Sequence, residues 1–221
     1  MSDKDNFKWA EFLYTGMYSN FTIVCGGSEW KVHRVILCAQ SPYFQKICKE
    51  CYQEGENRRL ELKEEDPDVI QAVLDFLYTG DYETDEIDYS QDVNALINRH
   101  VQVYACADKF CISDLKDVAA KKFDEQLSLL LEYVDSNNNN NEKGEVLATI
   151  IPEVYSTTPS TDRQLRDILT AKITEALPEL LAGGNEEIAS AFFGAGRCAW
   201  DVLVRKCDAD FQRPRRNYCR R

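Results

Sequence analysis

Hydrophobic positions fall into short, separate periods along this chain. In residues 7–17 they sit at Trp9, Phe12 and Leu13, the spacing of one helix face. So short a helix is marginal alone, below the roughly 12–15 residues that an isolated helix needs, and it must dock on its own domain or on a partner. Phe21, Ile23 and Cys25 then alternate with Thr22 and Val24, and Trp30 and Val32 alternate with Lys31 and His33. This predicts two strands, joined by Gly26-Gly27, which can take the positive φ of a two-residue hairpin turn. One face of the hairpin is apolar and has to be covered.

Val35, Ile36, Leu37 and Ala39 predict a short helix buried on nearly all sides. Ser41 before Pro42 predicts a cap and a new helix, with Tyr43, Phe44 and Ile47 facing the core. Residues 54–57, Glu-Gly-Glu-Asn, read as a polar loop, and Leu60 and Leu62 as the inward positions of a third strand. Asp66-Pro67-Asp68 opens a helix with Ile70, Val73, Leu74 and Leu77 as its stripe and Gly80 at its C-terminal cap.

Residues 81–92 read as an acidic, solvated loop, in which Asp85, Glu86 and Asp88 lack the glycine and spaced oxygen ligands of a calcium loop. A long helix is expected over residues 93–110 with Leu96, Ile97, Val101, Tyr104 and Ala105. A further helix follows Ser113 or Asp114, with Leu115, Val118, Ala119, Phe123 and Leu127 inward. Five asparagines at 137–141 mark a low-complexity linker. Beyond it, Thr161-Asp162-Arg163-Gln164 has capping-box spacing before Leu165, Ile168, Leu169 and Ile173. Gly183-Gly184 ends the next helical stretch. A last helix, capped by Asn185, carries Ile188, Phe192, Trp200 and Leu203 as its apolar positions.

Charge narrows the partners. The net −12 on 221 residues disfavours nucleic acid, whose affinity comes from cations on phosphates. From Arg205 onward, seven Lys or Arg against two acids give a local +5, leaving about −17 on the rest. The tail, with Arg213-Pro214-Arg215-Arg216, Tyr218 and Arg220-Arg221, reads as a frayed solvated end, a nuclear-import signal or a nucleic-acid contact. No apolar run approaches the roughly 20 residues of a membrane span, and the polar start has no signal-peptide core. A reducing compartment, cytoplasmic or nuclear, is expected.

In such a compartment the nine cysteines are expected to be reduced, with Cys25, Cys38, Cys106 and Cys111 as small buried hydrophobes. Cys48-Lys49-Glu50-Cys51 has the spacing of half a zinc site, and a second pair is missing. His33 reads as a hydrogen-bonding side chain at a strand-to-helix junction. Residues 21–82 hold no paired catalytic acids, no phosphate-cradling glycine loop and no nucleophile–base pair. No catalytic residue, cofactor or metal site is therefore assigned.

Four quoted pieces carry a family resemblance: Val32-His33-Arg34-Val35-Ile36-Leu37, Ser41-Pro42-Tyr43-Phe44, Phe76-Leu77-Tyr78-Thr79-Gly80 and Ala105-Cys106-Ala107-Asp108-Lys109-Phe110. In this order and spacing the chain resembles the BTB/POZ family over residues 21–130. Including Ile23-Val24-Cys25-Gly26, it is similar to BTB proteins of filamentous fungi. The resemblance implies an α+β fold, a helical cluster flanked by a short three-stranded sheet, that binds proteins and catalyses nothing. It implies a helical segment at 1–20 before the BTB-like domain. The Asn-rich linker at 131–145, a helical extension at 146–206 and a basic tail at 207–221 follow it.

It also implies sites. Dimeric members use the region of Trp9 and Phe12, and pair a buried aspartate with the basic residue after the histidine, here Arg34. Asn20 stands at the aspartate position, so the charge pair is gone and homodimerisation stays open. Members that recruit cullin scaffolds carry an apolar residue, any residue, then Glu after the Tyr-Phe helix. Tyr52-Gln53-Glu54 falls there, and a solvated loop is the other reading. The function expected is a scaffold or oligomerisation protein. A substrate adaptor for a cullin-type ubiquitin ligase is the alternative, and a zinc-binding protein the third reading.

Overall fold

The computed structural model describes residues 3–49, 51–82, 93–135, 140–182 and 196–212. Residues 21–62 include a three-stranded sheet of order β2-β1-β3. β1 (Phe21–Cys25) pairs antiparallel with β2 (Ser28–Val32), placing Phe21 opposite Val32 and Cys25 opposite Ser28. Gly26 and Gly27 make the turn at φ 54° and 89°, left-handed values that glycine reaches without strain. β3 (Arg59–Leu62) runs parallel to β1 on its other edge, with Leu60 opposite Ile23. Phe21, Ile23, Cys25, Val32, Leu60 and Leu62 are all buried, the inward half of each alternation.

A parallel partner requires a crossover, and the chain makes it through α2 (Arg34–Gln40), α3 (Pro42–Ile47) and α4 (Gln53–Asn57). α5 (Pro67–Thr79) supplies the main helical wall, with Ile70, Val73, Leu74 and Leu77 buried. Its ends follow local chemistry. Asp66 Oδ1 accepts from the Asp68 N–H at 2.8 Å, and Gly80, at φ 85°, donates its N–H to the Phe76 carbonyl at 2.8 Å. α1 (Asp3–Thr15) docks on α5 and β2 of its own chain, and Leu13 is its buried anchor.

Further along are α6 (Val93–Lys109), α7 (Ser113–Asp135), α8 (Asn140–Thr157), α9 (Gln164–Ala182) and α10 (Gly196–Gln212). The fold is α+β. The chain divides into two compact units, Met1–Asp92 with Arg99–Lys122, and Val93–Asn98 with Phe123–Arg221. These limits fall inside α6 and α7. Both ends of the stretch expected as linker, 131–135 and 140–145, are helical. In the second unit α9 contacts both α8 and α10.

Several expectations are corrected. Residues 53–57 form a helical turn rather than a loop, with Glu54 in its first turn and Arg58 closing it at φ 53°. Gly55 is buried there, because its Cα presses on the Lys49 carbonyl where a Cβ would overlap. α2 is not buried all round. Leu37 is inward, while Val35 is 73% exposed, since residues two apart on a helix lie about 200° apart. Cys111 lies outside α6 and is exposed. It takes φ 56° between two bonds, Cys111 N–H to the Asp108 carbonyl (3.1 Å) and Ile112 N–H to the Ala107 carbonyl (2.9 Å). This is the Schellman closure of a helix, with cysteine where glycine is usual.

In the second unit α9 starts at Gln164, and Asp162 rather than Thr161 offers the side-chain oxygen, 3.4 Å from the Gln164 N–H. Among the described side chains of α10, Cys198 and Val202 are buried, while Trp200 and Leu203 face outward. Asp201 fixes this rotation, since its Oδ2 accepts from the Tyr155 hydroxyl (2.8 Å) and from Arg163 Nη1 (2.9 Å). Asp85, Glu86 and Asp88, the run 136–139, Gly183 to Phe192 and the Arg-rich end from 213 lie outside the described residues.

Candidate protein-interaction surfaces

α1 and the start of α2 meet through His33. Its ring sits edge-on to Phe12, with centroids 6.1 Å apart, and Nε2 donates to the Met17 carbonyl at 2.8 Å. Nδ1 meets the Tyr78 hydroxyl at 2.7 Å, and the His33 N–H donates to the same oxygen at 2.9 Å. His33 is thus the hydrogen-bonding junction expected of it. Burial pushes the Tyr78 phenol up to about 12, so it stays a protonated, structural group. Two of the family-like pieces, around His33 and around Tyr78, are joined at this point.

Asn20 and Arg34 are brought together, but not as a side-chain pair. Asn20 Oδ1 accepts from the Arg34 backbone N–H at 2.9 Å. His33, at the cap position of α2, makes no side-chain cap bond, so Asn20 caps the helix from outside it. The Arg34 guanidinium turns instead to the Cys48 carbonyl. An amide therefore suffices at position 20 for a structural bond that needs no charge.

The surface left over is apolar. Phe12 is half-buried, and Trp9 and Met17 are about half exposed, while Tyr14 and Tyr18 are largely so. Tyr14 also reaches Asp75 of α5 through its hydroxyl, at 3.2 Å. Val35 adds to this group just beyond His33. Tyr14, Met17, Tyr18 and Val35 were not legible as surface. The usable signal was the apolar run past Leu13, which continues where a single inward stripe would have stopped.

A second surface lies on α3 and α4. Tyr52 sits at the cap position of α4, 38% exposed, with Lys46 Nζ 5.8 Å from its ring centroid. Glu54, half-buried, follows in the first turn. Tyr43 and Phe44 of α3 form an aromatic cluster with Phe110, with centroids 5.1 to 5.3 Å apart. Tyr52 is thus partly accessible at the start of α4.

Cys25, Cys48 and Cys198 are buried, while Cys38 and Cys106, expected to be buried, are half-buried. Burial pushes Cys48 and Cys106 each up to about 12 and Cys198 to about 11, far from the thiolate that metals and electrophiles require. Cys48 is buried and Cys51 exposed. Among the described residues no three His, Cys, Asp or Glu side chains gather as a metal site. No helix of the described residues is long and apolar enough to cross a membrane.

A small mixed sheet crossed over by short helices, with apolar and aromatic side chains left on two outer surfaces, defines an α+β protein-interaction fold. The family model described as BTB/POZ domain matches residues 10–127, more than half of the sequence, and the chain belongs to that family. Kelch-like protein 40 of Xenopus tropicalis is 35% identical over 72 residues, 33% of this chain and 12% of that protein. Its Xenopus laevis counterpart is 32% identical over 72 residues, with the same shares. The chain thus spans about an eighth of these relatives. Among solved structures, the BTB domain of zebrafish PATZ1 has 16% identity and a TM-score of 0.42. It covers 54% of this chain and 87% of its own. The BTB domain of human gigaxonin has 21% identity, a TM-score of 0.39 and the same coverage. The Kelch-like relatives are amphibian proteins, and they do not show the expected similarity to fungal members.

Proposed function

We propose that the chain is a non-enzymatic interaction module that self-associates through α1 and α2 and serves as a scaffold. The observation that supports this reading is the set of exposed apolar side chains on α1, the turn after it and the start of α2, namely Tyr14, Met17, Tyr18 and Val35 within the family-matched residues and Trp9 just before them. Contiguous exposed apolar side chains mark interaction surfaces, and a two-fold contact uses the same patch on both copies. Light scattering over a range of concentrations tests it. A dimer is expected, and Val35→Glu with Tyr18→Glu is expected to give a folded monomer. A wild type that stays monomeric at every concentration refutes the reading.

A second reading is an adaptor that engages a cullin scaffold through Tyr52 and Glu54. It is supported by the partly exposed aromatic at the start of α4, with the Glu54 carboxylate in the first turn. On either reading residues 21–130 form the interaction domain and 146–206 a helical extension. A reducing compartment, cytoplasm or nucleus, fits the free thiols of the described cysteines, including Cys48 buried beside Cys38.

A further inference from the structure

α2 and the end of α3 bring two thiols together. Arg34 and Cys38 are four residues apart on α2, so both lie on one face of that helix. That face meets the C-terminal end of α3, where Cys48 takes the cap position. Three bonds fix the meeting. Cys38 Sγ donates to the Phe44 carbonyl at 3.6 Å, and the Cys48 N–H donates to the same oxygen at 2.9 Å. The Arg34 guanidinium donates to the Cys48 carbonyl. The Cys48 thiol thus sits beside that of Cys38, and neither is in a disulfide.

The surroundings give the two thiols different parts. Cys38 is half-buried, so a small oxidant can reach it, whereas Cys48 is almost completely buried. Burial, and then the neighbouring Cys38, push the Cys48 thiol up, while the Arg34 charge pulls it down. Cys48 is therefore a poor first nucleophile towards anything in solution. It lies, however, where it can attack the Cys38 sulfur once that sulfur has been oxidised, and oxidation removes the Cys38 negative charge that opposes a Cys48 thiolate. Cys51, three residues beyond Cys48, is exposed and is the competing partner.

We propose that Cys38 and Cys48 form a peroxide-oxidised dithiol that closes into a disulfide between α2 and α3. The Cys38 thiolate attacks one peroxide oxygen, the O–O bond breaks, and the departing hydroxide takes up the Cys38 proton as water. The Cys48 sulfur then attacks the Cys38 sulfenic sulfur, the S–O bond breaks, and that hydroxide leaves with the Cys48 proton as a second water. Two thiols lose two electrons and two protons, and one peroxide is reduced to two waters. In a reducing compartment the bond is transient and is reopened by thiol exchange. The site depends on neither the self-association nor the cullin reading.

The test exposes the reduced full chain to hydrogen peroxide, alkylates the remaining thiols and digests with trypsin without reduction. Cleavage after Arg34, Lys46 and Lys49 puts Cys38 in peptide 35–46, Cys48 in peptide 47–49 and Cys51 in a third. Mass spectrometry is expected to find the first two peptides linked, and dithiothreitol to separate them. Cys48→Ser is expected to lose the link and to leave Cys38 as a sulfenic acid that dimedone traps. Should that variant fail to fold, the wild-type peptide map decides alone. Cys38 joined to Cys51 or to a second chain overturns the proposal. So does a wild type in which Cys38 stays reduced or stops at the trapped sulfenic acid. The same link formed as fast in guanidinium overturns it too, because nearness in sequence rather than the fold would then be the cause.

Discussion

The Ser41 hydroxyl donates to the Phe110 carbonyl at 2.6 Å, across 69 positions of sequence, while accepting from the Phe44 N–H at 3.1 Å. One side chain thus caps α3 and ties the end of α6 to it, and the Tyr43–Phe44–Phe110 cluster closes over the bond. Ser41 is almost completely buried. Removing its oxygen leaves a buried N–H and a buried C=O without this partner, and water cannot readily replace it. Ser41→Ala is therefore expected to cost about 2 kcal/mol, more than the roughly 1 kcal/mol of a solvated cap. Urea denaturation of both proteins measures it. A loss under about 0.5 kcal/mol would show that the site relaxes or admits water.

His100 carries a pH dependence. Its ring is buried, Nδ1 lies 2.8 Å from the Tyr82 hydroxyl, and Lys122 Nζ sits 4.6 Å from the Tyr82 ring centroid. Burial, then the Lys122 and Arg99 charges, push the His100 pKa down to about 4. The unfolded chain takes up this proton near 6.5, where the folded chain does not. The contribution is therefore intact above about pH 6.5. It is lost progressively as pH falls towards 4, by at most about 3 kcal/mol. Because carboxylates titrate in the same range, the measurement is a difference. His100→Gln is expected to flatten the stability curve between pH 6.5 and 4 relative to wild type. Parallel curves would show that His100 is protonated in the fold.

What the sequence made legible was local. The Ser41-Pro42 start, the Asp66-Pro67 start, the Gly80 cap and the hairpin at Gly26-Gly27 each depend on residues within one turn of the event. The sheet strands followed because their alternation needs only a period of two. The rotation of α10 was not legible. Trp200 and Leu203 are the apolar positions the pattern offers, but Asp201 reaches Arg163 and Tyr155, 38 and 46 positions away, and Cys198 and Val202 are the ones inside. The candidate site residues show the same division. Asn20 does meet Arg34, but the bond between them runs to the Arg34 backbone and not to its guanidinium. That difference depends on where the guanidinium finds the Cys48 carbonyl, which no motif spacing encodes.

Cys111 offers a gain in stability. It occupies the left-handed position of the α6 closure at φ 56°, where a Cβ crowds the carbonyl that follows. Cys111→Gly relieves that strain of about 1–2 kcal/mol and adds back some unfolded-state entropy. A net stabilisation of up to about 1 kcal/mol is expected, read as a higher urea midpoint at an unchanged slope. The variant also removes an exposed thiol, so oxidation-driven aggregation on storage should fall. A lower midpoint would mean that the cysteine side chain makes a contact worth more than the strain.

Tyr52 tests the adaptor reading at one residue. Tyr52 is 38% exposed and has Lys46 Nζ 5.8 Å from its ring centroid. Aromatic side chains poised at the edge of a packed core are frequent interface anchors, and truncating one costs about 2 kcal/mol or more, roughly 30-fold in affinity. Calorimetry of wild type, Tyr52→Ala and Glu54→Ala against a cullin N-terminal fragment is expected to show binding by wild type alone at full strength. Tyr52→Ala should weaken it about 30-fold and Glu54→Ala by less, since a half-buried carboxylate at a rim contributes mainly orientation. Gly55→Ala belongs in the same series as a structural control. Its new Cβ would overlap the Lys49 carbonyl, so it should lower the melting temperature and displace Tyr52 and Glu54 together. No binding by wild type removes the adaptor reading. Binding unchanged by Tyr52→Ala but lost in Gly55→Ala moves the contact elsewhere on the α3–α4 surface. An unfolded Tyr52→Ala makes the ring a core residue, with no separate part in recognition.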